Sequence, residues 1–330
     1  MTESGVFQDN QWLFVGLAAV FSALLSWLTI ALMLRFGYVG PVDRPNHRSL
    51  HQVAVPRSGG LGIVAGTLVG FFAAPPPLVL WVALGGLVGI SLLDDFRSLQ
   101  ARIRLLVQLT AAVLVTWTLI PSGWGVAGQV ASVLFIVWMT NLYNFMDGAN
   151  GLAGGMAVFG FAAYALVALL AGQYDLAIWS GCIAAAAVGF LFFNFDPARI
   201  FMGDVGSVPL GFLAAAIGLQ GWWSGAWPAW FPLLVFSVFI VDATVTLLRR
   251  GLRGEKVWVA HREHYYQRLI QSGWSHRRLA LTAYLLMFAT AGSACLLIAA
   301  PLVVQVFVLA VSGGAYILLM RSIDRRASGI

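Results

Sequence analysis

The feature that most constrains this chain is a succession of long apolar runs separated by short polar segments. A helix needs about 20 apolar residues to cross the hydrocarbon core of a bilayer. Eleven runs approach this length, although the second is short and only Pro301 separates the last two, so that ten spans are the alternative. The runs cover residues 11–34, 59–74, 77–93, 104–120, 127–143, 152–171, 175–193, 205–222, 228–248, 279–300 and 301–320. Only 10% of the residues are charged, against about 25% in soluble domains, so the chain is predicted to be an all-α polytopic membrane protein.

The basic residues predict how these helices are oriented. All 19 Lys and Arg fall on one side of an eleven-span arrangement, whereas the other side carries Glu3, Asp9 and Asp175 and no basic residue. Because positively charged connections stay in the cytoplasm, the N-terminus is expected in the periplasm and the C-terminus in the cytoplasm. The basic residues of these connections would lie beside anionic lipid headgroups. The basic pI is explained in this way, so no nucleic-acid partner is expected.

Neither an internal repeat nor a linker to a second domain is visible in the sequence. Residues 1–330 are therefore predicted to form one membrane domain with its chemically rich surface on the cytoplasmic side. The cytoplasmic segments expected to form a site are 35–58, 94–104, 143–151, 194–204 and 249–278.

Acidic residues interrupt the apolar runs at one predicted depth. Asp94 and Asp95 end the third run; Asp147 lies in the turn-rich segment NLYNFMDGANG. Asp204 precedes the eighth run. An Asp at bilayer depth is costly and usually faces a polar cavity, so we expect these side chains to converge around a cation. Oxygen ligands without Cys suit Mg²⁺, with Mn²⁺ as the alternative. The competing interpretation is that each acid caps a helix or pairs with a nearby Arg.

Two further acids lie outside this set. Asp196, in an Asp-Pro step, is expected to form a loop turn beside Arg199. Asp242 lies inside the ninth run near its cytoplasmic end, and a partner such as Arg249 lies one or two helical turns away. The sequence leaves the role of Asp242 open.

Two basic segments suggest that an anion is bound beside the acids. In the segment 249–278, His261 and His264 are three residues apart and would share one face of a helix. With Arg262 between them they suit an anion such as pyrophosphate; a polybasic lipid anchor is the plain alternative. The first basic segment repeats this pattern with Arg44, His47, Arg48, His51 and Arg57.

Four motifs in order carry a resemblance to a known family. They read LLDDFRSL, NLYNFMDGANGLAGG, FMGDVGSVPLG and HREH, within a match from about residue 35 to 280. They resemble the motifs of the polyprenyl-phosphate N-acetylhexosamine-1-phosphate transferases of glycosyltransferase family 4. The resemblance implies ten or eleven transmembrane helices in the bacterial inner membrane and a cytoplasmic active site with Mg²⁺. It implies transfer of a sugar 1-phosphate from a UDP-sugar to undecaprenyl phosphate, with release of UMP.

The resemblance also implies roles for individual residues. The catalytic candidates are Asp94, Asp95 and Asp147, and the metal-binding candidate is Asp204. Either acid of the Asp94-Asp95 pair would orient or deprotonate the acceptor phosphate, which is expected to attack directly without a covalent enzyme intermediate. The candidates for substrate binding are Asn141, Asn144, Asn194, His261, Arg262, His264, Arg57 and Arg104.

Two departures from the peptidoglycan enzymes of this superfamily bear on the substrate. The chain reads HREHYYQRL where those enzymes carry a tighter run of histidines, and Asn150 stands where they often have a second Asp. We therefore expect the branch that initiates O-antigen or other surface polysaccharides, with a UDP-N-acetylhexosamine, 6-deoxy sugars included, as donor. A phospho-N-acetylmuramoyl-pentapeptide transferase is the alternative. Membrane lipids are further expected partners, and a homodimer stays open.

Two other classes of membrane protein fit the sequence less well. The signature of CDP-alcohol phosphotransferases begins with a step like Asp147-Gly148 but then needs an Arg and two further acids, whereas GLAGGMAVFG follows here. A transporter of Mg²⁺ or a metabolite would hold its acids near the bilayer midplane on broken helices. The acids of this chain are predicted at the cytoplasmic edge instead.

Overall fold

The computed structural model describes residues 3–37, 40, 42–43, 54–97, 99–119, 124–259 and 261–328. The helices are α1 (Glu3–Arg35), α2 (Gly60–Ala73), α3 (Leu78–Arg97), α4 (Ala101–Leu119), α5 (Gly125–Phe145), α6 (Leu152–Leu170), α7 (Tyr174–Asn194), α8 (Asp204–Trp223), α9 (Trp230–Val235), α10 (Ser237–Leu252), α11 (Tyr265–Gln271), α12 (His276–Leu297) and α13 (Leu302–Ser328). The short strands β1 (Val42–Asp43) and β2 (Val55–Pro56) pair antiparallel. Arg44, His47, Arg48 and His51 of the first basic segment lie outside the described residues.

The helix lengths confirm an all-α polytopic membrane protein. Among the residues described above, nine helices are long and apolar enough to cross a bilayer, namely α1, α3 to α8, α12 and α13. The second predicted span is α2, which has only 14 residues. The ninth, 228–248, is divided at Phe236 into α9 and α10. There the Ser237 hydroxyl donates to the Leu234 carbonyl at 2.7 Å, which competes with helix continuation. Eleven crossings therefore remain a prediction.

The core of the bundle is centred on α7 and α8. Helix α7 packs against α1, α2 and α6, and α8 packs against α3 and α5. Two glycines of α2 permit close packing, because a Cβ would lie 2.6 Å from Ile30 at Gly62 and 2.9 Å from Cys182 at Gly70. Small residues of this kind let membrane helices approach each other closely. The Ser22 hydroxyl of α1 adds a hydrogen bond to the Cys182 carbonyl at 2.6 Å.

Backbone hydrogen bonds join the segment before α2 to the segment before α8. The Gly59 amide donates to the Phe201 carbonyl at 2.9 Å, and the Gly60 amide donates to the Met202 carbonyl at 2.9 Å. Because Arg57 precedes Gly59 by two residues, this backbone pairing places it next to the start of α8. The ends of α3 and α5 lie at this same edge of the bundle. Asn144, near the end of α5, contacts Ser207 in the first turn of α8, and Asp94, near the end of α3, shares Arg104 with Asp204.

Candidate active site

Asp94 and Asp204 share one arginine. Arg104 Nη1, in the first turn of α4, donates to Asp94 Oδ2 at 2.8 Å and to Asp204 Oδ2 at 3.1 Å. The Leu99 amide donates to Asp94 Oδ1 at 2.6 Å and fixes the carboxylate from the other side. Two acids separated by 110 residues therefore meet at one guanidinium, which supplies the cation that their mutual repulsion requires.

A second arginine lies between Asp95 and Asp204. Arg57 Nη2 is 3.9 Å from Asp95 Oδ1 and 3.9 Å from Asp204 Oδ1. The side chain of Asp95 is only 4% exposed, whereas that of Arg57 is 38% exposed. These long contacts and this exposure leave the Arg57 guanidinium accessible to a further anion.

Gly203 makes the close approach of Arg57 and Asp204 possible. Its φ is +69°, a left-handed conformation that L side chains rarely adopt, and a Cβ there would collide with the Arg57 carbonyl oxygen. Helix α8 begins at Asp204, directly after this glycine and one residue before the predicted run 205–222.

Asp94, Asp95, Asp204, Arg57 and Arg104 form a charged cluster. Asp147 interacts electrostatically with this cluster. It follows the end of α5 and is half-buried. Burial, and then the negative charge of Asp204, raise the pKa of Asp147 to about 7, while the positive charge of Arg57 acts in the opposite direction. Beside it, a Cβ on Gly148 would collide with the Tyr266 hydroxyl, which donates to the Phe145 carbonyl at 3.1 Å.

The three asparagines predicted to bind substrate hold the walls of the site together. Asn144 Oδ1 accepts from the Ser207 hydroxyl at 2.8 Å, which joins α5 to α8. Asn141 Nδ2 donates to Gln108 Oε1 at 2.8 Å, which joins α5 to α4. Asn194 is 4% exposed, donates to the Ile200 carbonyl and accepts from the Gly151 amide. The oxygen and the nitrogen of its side-chain amide are therefore both engaged within the protein.

Asp242, whose role the sequence left open, organises the histidine segment. It accepts the backbone amides of Tyr265 at 2.9 Å and Tyr266 at 3.0 Å. Its Oδ1 also lies 3.3 Å from Nδ1 of His264, which is 3% exposed. Asp242 thus satisfies the free amides at the start of α11.

The prediction that His261 and His264 share a helical face is wrong. Because Asp242 accepts the amides of Tyr265 and Tyr266, α11 begins only at Tyr265, and both histidines precede it. Their rings nevertheless lie side by side, with centroids 4.8 Å apart. Burial, followed by the positive charges of His264 and Arg250, lowers the pKa of His261 to about 4.

Other predicted pairs are also different in the structure. Asp196 Oδ1 accepts from Asn150 Nδ2 at 2.8 Å, while the Arg199 guanidinium lies 5.2 Å from the centre of the Phe193 ring. Arg249 donates to Asp324 and not to Asp242.

Arg262 lies between the two histidines and is half-buried. Its carbonyl accepts from Gln271 Nε2 at 2.8 Å, which ties the histidine segment to the end of α11. Four further residues connect the parts of the site without having been predicted to do so, namely Gln108, Asn150, Ser207 and Tyr266. Asn150 and Ser207 lie within the family motifs, whereas no motif distinguished Gln108 or Tyr266.

The carboxylates suit a metal that binds together with its substrate. Within the described part of the chain, no three or more His, Cys, Asp or Glu side chains form a group that could hold a metal ion. Mg²⁺ usually takes one or two protein carboxylates and completes its shell with water and phosphate oxygens. Asp204, with Asp94 or Asp95, fits that requirement, because the shared arginines keep their oxygens close.

Comparison with known proteins identifies similar sequences. Residues 77–221 match the profile of the family described as Glycosyl transferase family 4. The chain is 31% identical over 323 residues to the probable undecaprenyl-phosphate N-acetylglucosaminyl 1-phosphate transferase of Bacillus subtilis, with 91% of this chain and 90% of that protein covered.

Two other relatives carry related names. The undecaprenyl-phosphate alpha-N-acetylglucosaminyl 1-phosphate transferase of Yersinia pestis is 28% identical over 267 residues, with 73% of this chain and 72% of that protein covered. The decaprenyl-phosphate N-acetylglucosaminephosphotransferase of Mycobacterium tuberculosis is 32% identical over 296 residues, with 75% and 73% covered. The similarity to the Bacillus protein spans the helices that carry the charged cluster and confirms the resemblance found in the motifs. The chain belongs to the polyprenyl-phosphate N-acetylhexosamine-1-phosphate transferase superfamily and is a membrane-embedded transferase of a phosphorylated sugar.

Proposed function

We propose that the protein transfers an N-acetylhexosamine 1-phosphate from a UDP-sugar to undecaprenyl phosphate and releases UMP. The observation that carries this proposal is the arrangement of Asp94, Asp95 and Asp204 around two arginines at one edge of the bundle. A phosphoryl transfer needs mainly positioning and neutralisation of charge. The carboxylates can share a cation, and an arginine beside them can bind a phosphate. The arrangement therefore provides both positioning and neutralisation of charge.

The two arginines would have different roles in the transfer. Arg57 lies 3.9 Å from the carboxylates of Asp95 and Asp204, which is too long for strong hydrogen bonds. Its guanidinium can therefore bind the phosphate of an arriving substrate. Arg104 is held tightly by Asp94 and Asp204 and would keep the two carboxylates in position during the transfer. Asp94 or Asp95 would orient the acceptor phosphate for direct attack on the sugar-bearing phosphorus.

The histidine segment would hold the pyrophosphate of the donor. His261 is half-buried, and its low pKa keeps the ring neutral at pH 7 before substrate arrives. A neutral imidazole can donate one hydrogen bond to a phosphate oxygen. Asp242 fixes His264 through the contact between Oδ1 and Nδ1, and Arg262 adds a positive charge beside the two histidines.

The metal requirement is part of the proposal. Asp204, with Asp94 or Asp95, would hold Mg²⁺, or Mn²⁺ in its place, together with phosphate oxygens of the donor. When bound, the ion would neutralise the pyrophosphate and stabilise the departing UMP.

The names of the relatives favour N-acetylglucosamine as the first sugar to test, ahead of the 6-deoxy sugars. The product would initiate O-antigen or another surface polysaccharide, and the phospho-N-acetylmuramoyl-pentapeptide reaction is the competing assignment. We place the site on the cytoplasmic side of the inner membrane, with the N-terminus in the periplasm, because the predicted connections on that side hold all 19 basic residues.

The test is release of UMP from UDP-N-acetylglucosamine by the purified protein in detergent with undecaprenyl phosphate and Mg²⁺. Other UDP-N-acetylhexosamines and UDP-N-acetylmuramoyl-pentapeptide are offered in parallel. We expect release with one donor, and loss of release with EDTA and with Asp204→Asn. Asp175→Asn is the matched control, because Asp175 also lies in the first turn of a helix but is exposed on the opposite predicted side. Folded protein that releases no UMP from any donor would refute the proposed reaction.

A further inference from the structure

A cavity lies between α10, α12 and α13, outside the charged cluster. Its volume is about 480 Å³, within the range of ligand-binding cavities. Apolar side chains form most of its wall, among them Val241, Leu279, Leu286 and Met320. Helix α11 contacts α10, α12 and α13 and lies across them. Since α12 and α13 are membrane-spanning candidates, we expect lipid next to this cavity.

The wall of the cavity contains a buried hydroxyl group with no partner. Tyr265 is 5% exposed, and its hydroxyl oxygen makes no hydrogen bond within the described residues. The ring packs in one cluster with Met320 and Ile323 of α13. The guanidinium carbons of Arg249 and Arg268 lie 5.4 Å and 5.1 Å from the ring centre. Native proteins rarely leave a buried polar group unpaired, so this hydroxyl is available to donate to a bound molecule.

The charge at the edge of the cavity is positive. Arg326 lines the cavity and is exposed, and Arg325 beside it on α13 is also exposed. Basic side chains at a membrane surface attract anionic lipid headgroups. The apolar wall suits an acyl chain, the unpaired hydroxyl can donate to an ester oxygen, and the arginine at the edge can contact a phosphate.

We propose that this cavity binds one anionic phospholipid, with an acyl chain between α12 and α13, the Tyr265 hydroxyl donating to a lipid oxygen and Arg326 contacting the phosphate. Asp242 also lines the cavity while it caps α11 and contacts His264. The bound lipid would therefore support α11 and the histidine segment from the membrane side. This site is separate from the arginine–carboxylate cluster, and its occupancy does not depend on the transferase reaction.

The experiment measures retention of lipid by native mass spectrometry. Delipidated protein in detergent is mixed with phosphatidylglycerol or with phosphatidylcholine of the same acyl chains. We expect the wild type to retain one copy of phosphatidylglycerol in preference to phosphatidylcholine. Tyr265→Phe removes only the hydroxyl and should weaken retention roughly three- to tenfold, the effect of one hydrogen bond. Arg326→Gln should weaken retention of phosphatidylglycerol and abolish the preference.

Arg102→Gln is the matched control, because Arg102 is an exposed arginine at the start of α4, away from the cavity. It should retain phosphatidylglycerol as the wild type does. Equal retention by wild type and Tyr265→Phe would overturn the cavity as the binding site, and equal retention of the two lipids would overturn the anionic headgroup. Displacement of phosphatidylglycerol by equimolar undecaprenyl phosphate would also overturn the proposal, because the cavity would then belong to the acceptor lipid. Thermal unfolding of each variant without added lipid checks that it is folded.

Discussion

Asp242 Oδ1 lies 3.3 Å from Nδ1 of His264, although 22 residues and the end of α10 separate them. The same carboxylate also accepts the first two amides of α11. Asp242 therefore positions the histidine segment, and we expect it to act on the substrate only through that segment.

Replacing Asp242 with Asn should destabilise the protein and reduce its activity. The amide offers one acceptor oxygen where the carboxylate offers two, so one amide of α11 loses a charge-assisted bond, which costs about 1.5–3 kcal/mol. We expect a lower unfolding temperature and at least a tenfold loss of UMP release, mainly through a higher KM for the UDP-sugar. Asp175→Asn is again the control. An unchanged KM together with a lower unfolding temperature would leave Asp242 a purely structural role.

Arg104 should tolerate Lys better than Gln. Gln removes the positive charge between Asp94 and Asp204, whereas Lys keeps the charge but offers no planar guanidinium to both carboxylates. A hydrogen bond to a charged group contributes about 1.5–3 kcal/mol, so we expect kcat/KM to fall about tenfold for Arg104→Lys and about a hundredfold for Arg104→Gln. Steady-state UMP release measures both values. Equal losses in the two variants would contradict a role for the charge.

Gly203→Ala should be far more damaging than Gly225→Ala. Both glycines have positive φ, +69° and +78°, but a Cβ at Gly203 meets the Arg57 carbonyl whereas one at Gly225 meets nothing within 4 Å. The positive φ alone costs about 1–2 kcal/mol, and this is the expected destabilisation of Gly225→Ala, with activity retained. Gly203→Ala should add the collision, displace Arg57 and lose most UMP release. Thermal unfolding and kcat/KM of the two variants make the comparison, and similar activity in both would contradict it.

His261 should make the protein less stable as the pH falls below neutrality. Its pKa is lowered from 6.5 to about 4 in the folded protein. Between these values the unfolded chain binds a proton that the folded chain does not, so acidification favours unfolding, and the effect is absent above about pH 7. The unfolding temperature of wild type should therefore fall more steeply from pH 6.5 to pH 4 than that of His261→Gln. Parallel curves for the two proteins would refute the lowered pKa.

Regular patterns in the sequence predicted much of the fold. Ten of the eleven apolar runs correspond to single helices, and the exception is the run 228–248, which is divided at Phe236. A hydrogen bond from the Ser237 hydroxyl to the Leu234 carbonyl lies at that division, and hydropathy does not register local contacts of this kind. The short α2 was visible as a short run, but its close packing through Gly62 and Gly70 depends on residues of α1 and α7.

The sequence by itself determined the helical membrane class, the family and the acids of the candidate site, because apolar length and motif order are properties of the chain alone. Only the tertiary structure decided the partners of those acids. Asp204 meets Arg104 across 100 residues, Asp196 meets Asn150 and not Arg199, and His264 meets Asp242 before its helix begins. Such pairs form where packed helices bring their ends together, and a linear pattern carries no information on distances between segments far apart in the chain.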